Sequence, residues 1–97
     1  MAKKKTIPFD AAGYLDTPES QAELITDALE SGNAAYIAKA IGVVARAHGM
    51  TAVAKDAGVT REALYRALSE DGDPRLSTLV NVLRALGIHL TAAAKAA

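Results

Sequence analysis

The chain has 97 residues, which is enough for one modest hydrophobic core. Hydrophobic residues make up 51% of it but aromatic residues only 4%, so aliphatic side chains and alanine must supply the packing, as in small helical proteins. It has no cysteine, which excludes disulfide scaffolds and thiolate metal sites, and no apolar run approaches the roughly 20 residues of a membrane span. The formal net charge is zero, which excludes a uniformly basic protein. Because the N-terminus also lacks the apolar stretch of a signal peptide, we expect a cytoplasmic protein.

The first third of the chain predicts an extended segment followed by a helix. Residues 1–16 form the expected flexible N-terminal segment, and Thr17 followed by Pro18 is typical of a helix start, with the threonine as N-cap. This helix should run to Ser31 and stop at Gly32. Its predicted apolar positions are Ala22, Ile25 and Leu29 on one stripe, with Leu24 and Ala28 beside it.

A second helix is predicted over residues 34–48, with Asn33 as its N-cap and Gly49 at its end. It is apolar nearly all round, which places it in the centre of the fold. Gly42 in its interior predicts a close backbone approach by another element. The residues expected in the core are Ile37, Ala40, Ile41, Val44 and Ala47, with Tyr36 and Val43 at the edges.

The stretch from Met50 to Ser69 has the pattern of a helix-turn-helix, with helices near 51–57 and 61–69. Two helices that cross steeply need a small residue where they approach and a residue of positive φ in the turn, and Ala54 and Gly58 supply these. Apolar residues then recur at positions that can form one small core: Val53, Ala57, Val59, Leu64 and Ala67.

Thr60 is the predicted N-cap of the second motif helix, and the opposite face of that helix carries the candidate DNA-binding side chains. These are Arg61, Glu62, Tyr65, Arg66 and Ser69. Arginine can make paired hydrogen bonds to guanine in the major groove, while hydroxyl groups and helix N-termini suit phosphate oxygens. The alternative is an ordinary helical hairpin whose arginines form only a solvated face.

The last helix is predicted to start at Asp73 and Pro74 and to end at Gly87. Its apolar stripe comprises Leu76, Leu79, Val80, Leu83 and Leu86. Ile88, His89 and Leu90 then alternate between apolar and polar side chains. The segment is either a short edge strand, which could pair with its copy in a dimer, or a frayed terminus. These elements give an all-α fold of five helices, with a folded domain over 17–91 and a tail over 92–97.

The charges are unevenly distributed along the chain. Residues 32–97 hold eight Lys or Arg against five acidic residues, whereas residues 1–31 hold three lysines against six acidic residues. The basic part coincides with the predicted motif. Because its surplus is modest, a single copy should bind DNA weakly, and a functional site would require two copies on a two-fold operator.

No arrangement of residues indicates catalysis or a metal site. His48 and His89 lie far apart and have no partners at ligand spacing, so we expect a helix-end or surface position for each. Asp71, Gly72 and Asp73 lack the remaining ligands of a calcium loop. We therefore expect a protein that is not an enzyme and that has no cofactor.

Three separated blocks of the sequence resemble one family. PFDAAGYLDTPE, GMTAVAKDAGVTREALYRALSEDGDP and TLVNVLRALGIHL together are similar to the short antidote proteins of bacterial toxin–antitoxin (addiction) modules. The resemblance covers about Ile7 to Thr91. It implies a λ-repressor-like helix-turn-helix domain, usually dimeric, that binds its own promoter and neutralises a small RelE/ParE-like toxin.

Carried onto this chain, the resemblance makes Ala54 the packing alanine, Gly58 the motif glycine and Thr60, Arg61, Glu62 the opening of the recognition helix. Many λ-repressor-like proteins open the first motif helix with Thr-Gln, whose glutamine contacts a phosphate. Here the aligned residues are Gly49 and Met50, so Thr51, or its backbone N–H, is the expected substitute.

The contact with the toxin is expected in the N-terminal segment, whose candidate residues are Phe9, Asp10, Tyr14, Leu15 and Asp16. The apolar ones could equally cover the core beneath the first helix. The acidic N-terminal third would attract a cationic toxin. A stand-alone transcriptional regulator without a toxin is the alternative function.

Overall fold

Five helices joined by short turns make up the described part of the chain. The structure is a computed structural model that describes residues 16–95, within which there is no strand. The helices are α1 (Pro18–Ser31), α2 (Ala34–His48), α3 (Met50–Ala57), α4 (Arg61–Ala67) and α5 (Leu76–Ala85). The predicted all-α fold of five helices is therefore confirmed, while the N-terminal segment, apart from Asp16, lies outside the described residues.

Helix α1 begins and ends where the sequence predicts. The backbone N–H of Ser20 donates to the Thr17 hydroxyl at 3.1 Å, and Gly32 closes the helix. The predicted buried face is wrong in part, because Gln21, Ile25 and Ala28 are buried whereas Leu29 is 40% exposed. This helix packs on α2 along one face, and that contact selects the 21/25/28 stripe rather than the 22/25/29 stripe.

Helix α2 also has its predicted bounds, with the Asn33 side chain accepting a hydrogen bond from the N–H of Tyr36 at 3.0 Å. The close approach predicted at Gly42 is confirmed, since a Cβ there would lie 3.1 Å from the carbonyl oxygen of Leu68. Ala47 is exposed, contrary to expectation. The predicted core residues Ala40, Ile41 and Val44 are buried and Ile37 is half-buried, and the helix also buries Ala38, Gly42 and Ala45.

Helix α3 lies at the centre of the fold. It packs against α2, α4 and α5, and it buries Met50, Val53, Ala54 and Ala57. The partner side chains include Leu64 of α4 and Val82 of α5, both of which are fully buried. Of the predicted motif core, Val53, Ala57 and Leu64 are buried, while Val59 and Ala67 are half-buried.

Helix α5 departs from the prediction at its start and along its face. It begins at Leu76, with Arg75 as an N-cap that makes no side-chain capping bond, because residues 72–75 run as an extended connection from α4. The buried residues are Val82, Leu83 and Leu86, whereas Leu76 and Val80 are 73% and 38% exposed. The α3–α5 contact therefore selects a face rotated away from the predicted stripe.

The short edge strand, which was one of the two alternatives for residues 88–90, is absent. This part of the chain has no neighbouring strand within residues 16–95 to pair with. The N–H of Ile88 instead donates to the carbonyl oxygen of Leu83 at 2.9 Å. That turn directs Ile88 against the core, where it is partly buried. Residues 89–95 continue as exposed, irregular chain.

The close packing of Gly72 against Ala67 leads to a prediction about stability. A Cβ at this position would overlap the carbonyl group of Ala67 at the end of α4, and its N–H donates to the Ser69 carbonyl oxygen at 2.9 Å. We expect Gly72→Ala to lower the free energy of unfolding by about 1–3 kcal/mol, because the turn after α4 must shift to accept the methyl group. Thermal and urea unfolding measure this.

The matched control is Asp71→Ala in the same turn, since Asp71 is exposed. It should unfold within about 0.5 kcal/mol of the unchanged protein. Equal unfolding free energies for the two variants would contradict the packing of Gly72 on Ala67.

Candidate nucleic-acid interface

The turn between α3 and α4 positions the candidate interface. Gly58 has a φ of 77°, and the N–H of Val59 donates to the carbonyl oxygen of Ala54 at 3.0 Å, which closes α3 with a Schellman-type turn. The Thr60 side chain then accepts a hydrogen bond from the N–H of Ala63 at 3.0 Å and caps α4. Both features occur at the residues that the sequence singled out, because each depends only on residues within five positions.

Helix α4 buries Leu64 and directs polar side chains away from the core. Arg61, Glu62, Tyr65 and Arg66 are all exposed on this seven-residue helix, and Ser69 is exposed just beyond it. A surface of this kind, with two guanidinium groups and a phenol on one short helix, can offer hydrogen-bond donors to an anionic partner.

Arg61 and Tyr65 interact with each other on this surface. The Arg61 guanidinium carbon lies 5.5 Å from the centre of the Tyr65 ring, and its Nη2 donates to the Tyr65 hydroxyl oxygen at 3.4 Å. The hydrogen bond to Tyr65 raises the pKa of Arg61 above its ordinary value. The contact restricts the rotamers of a long side chain, which lowers the entropy that it would lose on binding.

Two of the hydroxyl candidates, Thr51 and Ser69, differ in what they can offer. Thr51 is exposed in the first turn of α3, whose N-cap is Gly49 and which has no side-chain capping bond. Backbone N–H groups at such a start remain available to an anion. The Ser69 hydroxyl instead donates to the Arg66 carbonyl oxygen at 3.0 Å, so it is not a free donor.

Sequence reasoning did not assign Arg46 to this region. Its Nη1 and the carbonyl oxygen of Leu68 lie 3.8 Å and 3.1 Å from the position that a Cβ at Gly42 would occupy. Both atoms border the same point, so the Arg46 side chain lies near Leu68, the residue that ends α4. The sequence shows that Arg46 lies one helical turn after Gly42. It does not show that Leu68 lies beside Gly42, because that depends on how α2 packs against the end of α4.

The remaining predicted residues fall elsewhere. Asp16 is exposed directly before α1, and the other four candidates for toxin contact lie outside the described residues. His48 ends α2 and shares a 3.0 Å hydrogen bond with the buried side chain of Gln21, so it links α1 to α2. His89 is exposed after α5.

The described residues contain neither a cluster of metal-ligating side chains nor a membrane-spanning helix. Within residues 16–95, no group of three or more His, Cys, Asp or Glu side chains could hold a metal ion. No helix of that range has the length and hydrophobicity needed to cross a membrane.

Comparison with known proteins identifies a family. The family model described as "probable addiction module antidote protein" matches residues 5–94. An uncharacterised protein of Haemophilus influenzae is 39% identical over 81 residues, which cover 84% of each chain. No solved structure matches. The match extends over nearly the whole chain, and the protein therefore belongs to the family of probable addiction module antidote proteins.

Proposed function

We propose that the protein is a DNA-binding antitoxin that neutralises a small RelE/ParE-like toxin and represses its own operon. The observation that carries the DNA-binding part is the exposed set of Arg61, Tyr65 and Arg66 on α4, a helix whose opposite face is buried. The antitoxin part is supported by membership of the antidote family.

In the proposed complex, α3 and α4 act as a helix-turn-helix and α4 enters the major groove of double-stranded DNA. Arg61 and Arg66 contact bases, Glu62 and Tyr65 set the preference at neighbouring positions, and Thr51 and Thr60 face phosphates at the two helix starts. Ser69 would accept rather than donate, because its proton is held by Arg66. The Arg61–Tyr65 contact restricts the orientation of the guanidinium group, whose planar face of donors can form paired hydrogen bonds with guanine.

The arginines make a prediction about promoter binding. Arg61→Ala or Arg66→Ala should each weaken binding to the protein's own promoter by about 1–3 kcal/mol and relax the preference at one operator position, because a bidentate pair to guanine is lost. Fluorescence anisotropy against a set of single-base operator variants, at several salt concentrations, measures both effects.

Lys95→Ala is the control, since Lys95 is an exposed cation in the C-terminal tail and belongs to neither α3 nor α4. Equal weakening on every sequence, with a smaller salt slope, would assign the arginines to phosphates instead. Unchanged affinity in both arginine variants would refute the role of α4.

We also propose that the protein binds DNA as a homodimer, through the exposed apolar face of α5. Leu76 is 73% exposed and Val80, one turn later, is 38% exposed. The sequence of α5 contains no acidic residue. Two copies of this face can therefore meet with little charge repulsion, and burying exposed leucine and valine side chains favours association.

The dimer prediction is that Leu76→Glu combined with Val80→Glu yields a monomer with weaker promoter binding, because carboxylates would be buried in the contact. Light scattering after size-exclusion chromatography measures the mass. Asn81→Glu is the control and should remain dimeric, because Asn81 is exposed on the same helix but lies roughly 100° or more around it from both Leu76 and Val80. A double variant that stays dimeric would place the contact elsewhere.

The toxin contact that we propose includes the N-terminal residues Phe9, Asp10, Tyr14, Leu15 and Asp16. Co-expression with the adjacent small open reading frame, followed by purification through a tag on one partner, tests the antitoxin function. We expect a stable complex and rescue of growth. Absence of a complex, together with intact promoter binding, would identify a stand-alone regulator.

A further inference from the structure

Helix α1 carries an acidic ridge along its exposed side. The ridge consists of Glu19, Glu23, Asp27 and Glu30, which are spaced by four, four and three residues and therefore share one face of the helix. All four side chains are exposed, and α1 contains no lysine or arginine. The helix thus presents only negative charge to the solvent.

This arrangement is unfavourable in the free protein. Carboxylates three or four residues apart on a helix repel each other, and Glu30 also lies near the negative end of the helix dipole. Within residues 16–95 the one ion pair joins Lys39 to Glu70, so no ridge carboxylate forms a direct ion pair with a cation of that range. Asp27 accepts a 2.6 Å hydrogen bond from the Tyr36 hydroxyl, which leaves three carboxylates directed at solvent.

An apolar groove runs beside the ridge. It has a volume of about 420 Å³ and lies between α1 and residues 88–93 of the C-terminal segment. Leu29 and Leu90, which are 40% and 44% exposed, stand on its two sides, and Glu30 of the ridge lines it. The groove therefore combines exposed hydrophobic side chains with a negatively charged edge.

We propose that this groove is the docking site for a cationic, amphipathic segment of the toxin, with apolar side chains between Leu29 and Leu90 and Lys or Arg side chains on Glu23 and Glu30. The inference rests on the proposed antitoxin function and assigns its protein-binding surface. Charge complementarity selects this occupant, because a basic segment removes the repulsion within the ridge whereas an acidic or neutral one leaves it.

The position of the groove is compatible with simultaneous DNA binding. Its lining residues come from α1 and from the chain after α5, and none belongs to α3 or α4. Arg61, Tyr65 and Arg66 therefore remain accessible when the groove is filled. The opposite charges of the two surfaces also direct DNA and a cationic toxin to different sides.

The test uses the full-length protein and the product of the adjacent small open reading frame. Glu23→Lys combined with Glu30→Lys should weaken the complex by about tenfold or more and reduce its salt dependence, because attraction becomes repulsion at two positions. Leu29→Gln should weaken it without changing the salt dependence. Calorimetry or surface plasmon resonance measures both, and promoter binding should be unchanged in all variants.

Asp71→Lys combined with Asp73→Lys is the matched control. It makes the same change in net charge at two exposed residues of the turn after α4, and it should alter toxin affinity by less than about threefold. Thermal unfolding of each variant verifies that the fold is retained.

The outcomes separate the groove from the proposed function. If the unchanged protein forms no complex, the antitoxin function fails and the docking site with it. If it forms a complex that the ridge and Leu29 variants leave intact, only the docking site is wrong. Loss of the dimer in the Leu29 variant would assign the groove to a second copy. Altered NMR signals of residues 7–15 in that free variant would assign it to the chain's own N-terminal segment.

Discussion

The close packing of α3 on three neighbouring helices is the constraint on which the rest of the structure depends. Ala54 and Ala57 are buried there beside Val53, and their small side chains allow α4 and α5 to approach the α3 backbone. Larger residues at these positions would separate the helices and expose Leu64, which is fully buried. The exposed side of α4 exists because this contact holds its other side in the core.

Two further contacts connect the helices to one another. Gly42 of α2 meets Leu68 at the end of α4, and Gln21 of α1 meets His48 at the end of α2. The first contact holds α2 against the residue that ends α4, and the second attaches α1 to the end of α2. The basic and acidic surfaces are thereby held on different parts of one small core, which suits a protein with two partners of opposite charge.

The exposed apolar residues form two adjoining regions, which meet where Val80 and Leu90 line one hollow together. Leu76 and Val80 lie on α5, while Leu29 and Leu90 flank the groove beside α1. A small domain rarely exposes several large apolar side chains in contiguous patches without a partner. The absence of acidic residues from α5 and their concentration on α1 are the physical basis for assigning the first region to a second copy and the second region to a cationic protein.

The helix starts at Thr17, Asn33 and Thr60 and the turn at Gly58 could be predicted from the amino-acid sequence, because capping bonds and a positive φ depend on residues within five positions. The apolar face that each helix buries could not, since periodicity permits neighbouring stripes and the packing of the partner helix selects one. The tertiary structure therefore decided that Leu29, Leu76 and Val80 are exposed and that α5 begins at Leu76. The position of Arg46 near Leu68 likewise could not be predicted from neighbouring residues, because it depends on the contact between Gly42 and Leu68.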